Sequence, residues 1–511
     1  MVQVLSDPQA VADWLRERVT GGLQCDSRRI GPGDGFVAWP GAATDGRRFV
    51  ASALAAGAVA ALVEREGLES FGLADPRILA VPGLKSQAGP IASAFYRDPG
   101  AAMDLVGITG TNGKTSCAWW LAQVLSALER PCAVVGTLGI GLPPVAGRCA
   151  TLASTGMTTP DPVLLQSSLR VLADQGVRAV AMEASSIGIV EGRLNATRLR
   201  VAVFTNFTQD HLDFHGSMDA YWSAKAALFD WPGLPAAVVN TDDDRGVLLA
   251  QVLAARGLDL WTVGIETAAT ARLFARDIGV THKGMHLTLG ERDANGQPAG
   301  EYGLSLPLVG HYNVANLLCV LAAARALGVP LPDAVRACAA MTAVPGRMQP
   351  VGTEDGQPLV LVDYAHTPDA LEKALQALQP VARQRGGRLW CVIGCGGDRD
   401  PGKRPLMAAV AEREAQQVVL TSDNPRSEEP LAILAQMRAG LSRPGEVLVQ
   451  ADRAEAIALS VQRAAAHDVV LVAGKGHEDY QEVMGVKRPF SDWQQAQRAL
   501  QARAAGKGAS L

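Results

Sequence analysis

The chain has 511 residues, enough for three domains with full-sized cores at about 150 residues each. Its 47 basic and 51 acidic residues leave a net charge of −4 without a basic block, which disfavours a nucleic-acid partner. The eight cysteines form no CxxC pair and mostly sit in apolar runs, so they read as reduced, core-filling thiols rather than disulfides or metal ligands.

The N-terminal stretch is amphipathic and carries Asp7 and Asp13, unlike a secretory signal. Asp26-Ser27-Arg28 reads locally as a polar turn. Short β-like runs follow at Gly35 to Ala38 and Ile78 to Val81. The Ala-rich run from Val50 to Val63 is shorter than the roughly 18 residues of a membrane span and reads as a packed helix. A small α/β binding domain in a cytoplasmic protein is expected up to Asp98-Pro99-Gly100, which breaks the chain.

Beyond that break the apolar run Met103 to Ile108 leads into Gly110-Thr111-Asn112-Gly113-Lys114-Thr115-Ser116, and a helix is expected from Cys117 to Leu128. This is the strand, loop and helix context of a phosphate cradle. Glycines let backbone N–H groups converge on phosphate oxygens, and the helix N-terminus adds its dipole. Lys114 supplies charge, and Thr115 or Ser116 can hold Mg²⁺. The loop therefore reads as ATP-binding. The general pattern wants glycine five residues before Gly113, where this chain has Ile108 and places glycines at 107 and 110.

Further strands are expected at Ala133 to Leu138, Val177 to Glu183, Arg200 to Asn206 and Ala236 to Asn240, alternating with helices as in a parallel, doubly wound sheet. Asn295-Gly296 signals a hairpin, and Val344-Pro345-Gly346 breaks the chain again. Strands at Leu359 to Tyr364, Leu389 to Gly394, Gln417 to Thr421 and Val469 to Ala473 each end in a polar cluster. These are Asp363-Tyr364-Ala365-His366, Gly396-Gly397-Asp398-Arg399, Asp423-Asn424-Pro425-Arg426 and Gly474-Lys475-Gly476-His477-Glu478. Open α/β sheets bind ligands at the carboxyl ends of their strands, so the four clusters are expected to line one site. The domains are expected at residues 1–98, 99–343 and 344–511, with a frayed tail after Ala504.

The ordered set of these clusters, with Thr158-Thr159-Pro160, Glu183-Ala184-Ser185-Ser186, Asn206 to His211 and Pro345-Gly346-Arg347, resembles the Mur ligases over nearly the whole chain. The one-residue offset in the phosphate loop is that family's usual form. The resemblance implies a small α/β UDP-binding domain, a central P-loop ATPase domain with a parallel sheet, and a C-terminal Rossmann-like domain. It also implies an ATP-dependent, ADP-forming ligase, a monomer, that adds meso-diaminopimelate to UDP-N-acetylmuramoyl-L-alanyl-D-glutamate. A carboxylate does not condense with an amine at neutral pH, so such a ligase first makes an acyl phosphate.

What the resemblance implies for individual residues follows its motifs. Gly110 to Ser116, with Asn313, Arg347 and Asp363, would hold ATP, Asn316 being either a further contact or a helix-interior amide. Lys114, Glu183, His211 and Lys225 would be catalytic. Thr115, Glu183, His211 and an N-carboxylated Lys225 would attend two Mg²⁺ ions; alone, Lys225 reads as a snorkelling lysine and His211 as a turn residue. Ser27 with the Gly41 to Gly46 loop, and Thr158, Thr159, Ser185, Glu191 and Arg193, would contact the UDP-muramoyl-dipeptide. The family often has histidine and glutamine where this chain has Ile187 and Glu191, and a glutamate beside an anionic substrate is unfavourable unless paired. Arg399, Asp423, Asn424, Pro425, Arg426, Gly474 and Glu478 would bind diaminopimelate. Arg426 offers a planar fork for the distal carboxylate, which lysine lacks. Folylpolyglutamate synthetases share the loop and the three-domain plan but have no reason to carry the last two clusters. An ATP-dependent switch that performs no ligation is the reading from another class.

Overall fold

The computed structural model describes residues 2–41, 44–145, 149–281, 284–293, 295–306, 308–352 and 356–508. Its strands form three larger sheets and one two-stranded hairpin, and the chain packs into two compact units. The first holds residues 1–263 and 319–341, and the second holds 264–318 and 342–511.

The first unit contains two sheets. The N-terminal sheet runs in the order Gln3–Val4, Ile78–Val81, Ala60–Glu64, Gly35–Ala38, Leu23–Gln24, all parallel. Helix Pro8–Arg16 packs on it, capped by Asp7, whose carboxylate accepts the Ala10 N–H. The run Val50 to Val63 is not one helix. Helix Val50–Ala55 ends at Gly57, whose φ of +115° reverses the chain, and Ala60–Glu64 is a buried central strand. Short apolar runs do not distinguish a strand from a helix by periodicity, and here the glycine decides.

The second sheet of this unit is ordered Asp259–Gly264, Ala236–Asn240, Leu199–Phe204, Asp104–Thr109, Ala179–Glu183, Cys132–Gly136, Gly139–Leu142, Thr151–Ala153. The first six strands are parallel, and the last two complete an antiparallel edge. The loop-bearing strand Asp104–Thr109 thus lies between Ala179–Glu183 and Leu199–Phe204. Ile108 pairs with Glu183 and Thr109 with Phe204, which brings residues 110, 183 and 205–206 to one edge. At the break before this strand, Asp98 adopts a left-handed conformation (φ +46°) and Pro99–Ala102 make a short 3₁₀ turn. The two sheets share a core through Val163 on helix Pro162–Asp174, which packs among N-terminal side chains.

In the second unit, strands Leu273–Thr281, Gly284–Arg292 and Pro298–Leu306 form an antiparallel meander, with Gly296 (φ +78°) in the expected turn. The C-terminal sheet has the order Gln349–Val351, Leu359–Asp363, Val469–Ala473, Leu389–Ile393, Gln417–Leu420, Leu448–Val449, with only the first strand antiparallel. The four strands that end in polar clusters are therefore neighbours, and their carboxyl ends share one edge. Gly346, in the break before this sheet, has φ +66°, and a Cβ there would lie 2.1 Å from the His477 nitrogen. A small exposed hairpin, Tyr480–Val483 with Val486–Pro489, follows the last cluster. Helix Asp492–Gly508 extends past Ala504; residues 509–511 lie outside the described set.

Candidate active site

The phosphate loop departs from strand Asp104–Thr109 with Gly110 at φ +142° and Gly113 at φ +87°. A side chain on Gly110 would collide with Thr205 Oγ1, 1.9 Å from the ideal Cβ. The loop is pinned from the neighbouring strand: Thr205 Oγ1 donates to the Asn112 carbonyl at 2.6 Å, and Asn206 accepts the Asn112 N–H at 2.9 Å. Thr111 Oγ1 meets the Thr208 carbonyl and the Tyr221 hydroxyl. Helix Lys114–Ala127 starts at Gly113, and Thr115 and Ser116 stand buried in its first turn. Asn206 takes the Thr111 and Asn112 N–H groups, which holds the loop in shape, and the N–H groups that open the helix, with its dipole, suit a phosphate chain.

Two ammonium groups converge here. Lys114 Nζ donates to the carbonyls of Gly110 and Thr111 at 2.9 and 2.8 Å, and Lys225 Nζ donates to the same Gly110 carbonyl at 2.8 Å. Lys225 lies on helix Met218–Ala226, is 1% exposed, and sits 4.3 Å from the centre of the Tyr221 ring. Burial and then the neighbouring Lys114 charge push its amine well below the ordinary lysine range, against an opposing pull from Asp210. A neutral amine is the form that reacts with carbon dioxide.

Across the loop, Glu183 is 2% exposed at the end of its strand. Its carboxylate accepts from Thr115 Oγ1 at 3.0 Å, from the Thr137 N–H at 2.7 Å and from Thr137 Oγ1 at 3.3 Å. A Cβ at residue 136 would meet Glu183 Oε1 at 2.2 Å, so glycine there makes room for the carboxylate. Hard oxygen donors from Thr115 and Glu183 beside a phosphate cradle suit Mg²⁺. His211 follows in a left-handed turn (φ +52°), with Nε2 3.6 Å from Asp210. Burial lowers its pKa, with Lys114 and Lys225 adding to the effect and Asp210 opposing it. His215 packs on the same Tyr221 ring as His211, at 5.1 Å between centroids, with Nε2 3.0 Å from Ser186 Oγ.

Next to Glu183, a hydroxyl cluster gathers four of the residues assigned to the muramoyl-dipeptide. Thr158 Oγ1 lies 3.1 Å from Thr137 Oγ1, and Thr159 Oγ1 donates to the Glu183 carbonyl at 2.7 Å. Ser185 caps helix Ser186–Val190 and lies 2.9 Å from Thr159 Oγ1, while Arg193 Nη1 donates to the Thr159 carbonyl at 2.9 Å. Glu191 is paired: its carboxylate sits 2.7 Å from Lys85 Nζ, on helix Leu84–Phe95 of the N-terminal domain. Ser27 opens a 3₁₀ turn capped by Asp26, which is ion-paired to Arg28. In the Gly41 to Gly46 loop, Ala42 and Ala43 lie outside the described residues.

In the C-terminal sheet, Asp363 is buried, and its carboxylate accepts the Met348 and Ala365 N–H groups at 2.7 and 2.8 Å. Burial raises its pKa, against the opposing Arg347 charge. The Arg347 guanidinium lies 4.6 Å from the centre of the Tyr364 ring. Asn313 Nδ2 donates to the Val309 carbonyl, and Asn316 Nδ2 to Asn313 Oδ1 at 3.3 Å within helix His311–Ala326.

The Asp423-Asn424-Pro425-Arg426 turn and the Gly474 to Glu478 cluster are joined directly. Asn424 Nδ2 donates to Glu478 Oε2 at 2.8 Å, and the buried Lys475 ammonium bridges Asn424 Oδ1 (3.0 Å) and Glu478 Oε2 (2.9 Å). Gly474 needs φ +115°, and its Cβ would lie 2.7 Å from Asp423 Oδ2. Arg426 has φ +52° and donates from Nη1 to the Gly397 carbonyl at 2.6 Å, while Arg399 is exposed on the same strand-end loop. The joined clusters thus bring the Arg426 guanidinium and the Glu478 carboxylate to one edge of the sheet.

Three family models match the chain in order: the Mur ligase family catalytic domain over residues 20–95, the Mur ligase middle domain over 108–324, and the Mur ligase glutamate ligase domain over 346–476. The chain belongs to the Mur ligase family. It is 55% identical over 509 residues to the UDP-N-acetylmuramoyl-L-alanyl-D-glutamate–2,6-diaminopimelate ligase of Acidovorax sp. (strain JS42), covering 98% of this chain and 99% of the relative. A solved structure of such a ligase is 37% identical and superposes with a TM-score of 0.65 over 94% of this chain and 95% of its own. The MurF ligase of Thermotoga maritima, solved in complex with ADP, shares the fold at 18% identity, with a TM-score of 0.65 over 98% of this chain and all of its own.

Several residues of this Mur ligase's strand-end clusters carry no motif of their own. Thr137, which touches both Glu183 and Thr158, follows an ordinary strand. Arg453 is fully buried against Asp492 at 2.6 Å and donates to the Ser422 and Ala473 carbonyls, one residue before the Asp423 and Gly474 clusters. Arg404 pairs with Glu428 at 2.7 Å and donates to the Gly396 carbonyl. Both arginines stand in the first turn of helices that carry other charged residues, so the sequence does not single them out.

Proposed function

We propose that this Mur ligase couples ATP cleavage to the amide bond between the D-glutamate side of UDP-N-acetylmuramoyl-L-alanyl-D-glutamate and meso-diaminopimelate, through an acyl phosphate, in cytoplasmic peptidoglycan precursor synthesis. It adds meso-diaminopimelate to that UDP-muramoyl-dipeptide. The observation that carries the substrate assignment is the joined pair of clusters at Asp423–Arg426 and Gly474–Glu478, in a chain similar over almost its full length to a ligase of that name.

ATP with Mg²⁺ supplies the phosphoryl group and neutralises charge as two anions approach. The Gly110 to Ser116 loop cradles the phosphates through amides other than those of Thr111 and Asn112, which Asn206 accepts, and Lys114 turns from the loop carbonyls to the phosphate oxygens. Thr115, Glu183 and His211 would hold Mg²⁺, and an N-carboxylated Lys225 would provide an anion where the structure gathers two amines. Asn313, Arg347 and Asp363 hold the nucleoside. Ser27 and the Gly41 to Gly46 loop hold the UDP end, and Thr158, Thr159, Ser185 and Arg193 orient the dipeptide. Arg426 and Arg399 take the distal carboxylate of diaminopimelate, and Glu478 with the Gly474 carbonyl takes its distal ammonium. Domain boundaries at 98/99 and 343/344, and a monomeric enzyme, belong to the same reading.

The test is phosphate release measured with each substrate omitted in turn. Release that requires both the UDP-muramoyl-dipeptide and diaminopimelate is expected. Release from ATP alone at the full rate would replace the ligase with an ATP-driven switch.

A further inference from the structure

The exposed hairpin Tyr480–Val483/Val486–Pro489 supplies none of the substrate-binding residues, yet its inner strand is bonded to the turn that reads the amino acid. Gln481 Nε2 donates to the Asp423 carbonyl at 2.7 Å. The Glu482 N–H donates to Asn424 Oδ1 at 3.0 Å, and its carbonyl accepts the Arg426 N–H at 3.0 Å. The Met484 N–H donates to the Arg426 carbonyl at 2.6 Å, completing a parallel bridge between Arg426 and Val483. Both main-chain polar groups of Arg426 are thus fixed by a segment about 55 residues further along the chain.

Arg426 needs that support. A non-glycine residue at φ +52° is intrinsically disfavoured and persists only where its surroundings over-determine it. The hairpin needs the turn equally. A lone two-stranded hairpin is marginal in water, and this one exposes its whole outer strand and Met484.

We propose that this hairpin is a specificity brace, with Gln481 a positioning residue that sets the Asp423–Arg426 turn, and through it the Arg426 fork, against the distal carboxylate of the amino-acid substrate. The proposal rests on the reading of that turn as the carboxylate site. Gln481 touches no reacting atom; it acts through the Asp423 carbonyl. Losing one such hydrogen bond should move affinity for the substrate that the turn holds and leave the other two substrates alone.

The experiment compares wild type, Gln481→Met, Gln481→Lys and Arg426→Ala in the full-length enzyme. Gln481→Met should raise KM for diaminopimelate about ten-fold, the scale of one hydrogen bond, with kcat changed less than about three-fold and KM for ATP and UDP-muramoyl-dipeptide unchanged. Gln481→Lys, which still presents a donor, should recover most of the loss. Equal rises in all three KM values, or no rise in any, would overturn the brace. If Arg426→Ala itself leaves diaminopimelate KM unchanged, the carboxylate-site reading fails; if it raises that KM while Gln481→Met does not, only the brace fails. Hydrogen exchange on the wild type needs no variant. The Arg426 amide should be protected in step with the strand Tyr480–Val483, and free exchange at Arg426 beside a protected hairpin would contradict the proposal.

Discussion

Around the phosphate loop, Lys114 and Lys225 converge on one main-chain carbonyl, that of Gly110. At the amino-acid edge the buried cations instead lie against carboxylates: Arg404 on Glu428, Arg453 on Asp492, Lys475 on Glu478. Burial first, and then the Lys114 charge, lowers the pKa of Lys225, and in the proposed reaction a phosphate chain or a carbamate would relieve that excess of positive charge. The second fixes its charges before substrate arrives. Buried ion pairs add little net stability, but breaking one is costly, so they hold geometry well. On the proposed function, the first region would gain negative charge as ATP binds, and the second would recognise a fixed pattern of charge.

At the phosphate loop, Lys114→Ala should have the largest effect. Ligation should fall below detection while UDP-muramoyl-dipeptide binding, followed by calorimetry, is largely retained. A near wild-type rate would remove the phosphate-loop assignment.

Lys225→Ala should reduce turnover by orders of magnitude, and a short carboxylic acid in the buffer should restore part of it by standing in for the carbamate. Unchanged turnover would return Lys225 to a buried structural lysine.

At the other edge, Arg426→Ala should lower kcat/KM for diaminopimelate by about two orders of magnitude, with ATP and UDP-muramoyl-dipeptide affinities nearly unchanged. An equal loss for all three substrates would mean that the turn is structural.

The smallest effect concerns Glu191. Paired with Lys85 and partly exposed, it belongs to a class of ion pair worth about 0 to 1 kcal/mol. Glu191→Gln should change KM for UDP-muramoyl-dipeptide less than about three-fold. A ten-fold fall in that KM would show the carboxylate facing the anionic substrate rather than the lysine.

Much of this architecture is legible in the amino-acid sequence, for local reasons. Gly110 and Gly113 sit where their residue type is required, and the four strand-end clusters of the C-terminal sheet are adjacent because parallel strands end on one edge. The features that the sequence hides are non-local or ambiguous. The Val50 to Val63 run carries too little periodicity to show that Gly57 divides it into a helix and a strand. Lys85 and Glu191 are more than 100 residues apart, and a glutamate at that position looks unfavourable until its partner is seen. The bracing of Arg426 by residues 481–484 depends largely on backbone groups that every sequence has, so no motif announces it.

Recognition of a distal carboxylate shows in the wild-type ratio of kcat/KM for meso-diaminopimelate over lysine, from initial rates of phosphate release at saturating ATP and UDP-muramoyl-dipeptide. A lysine ammonium facing Arg426 meets like charge and leaves the guanidinium without its carboxylate, so a ratio of at least about 100 is expected. Equal use of the two amino acids would contradict it.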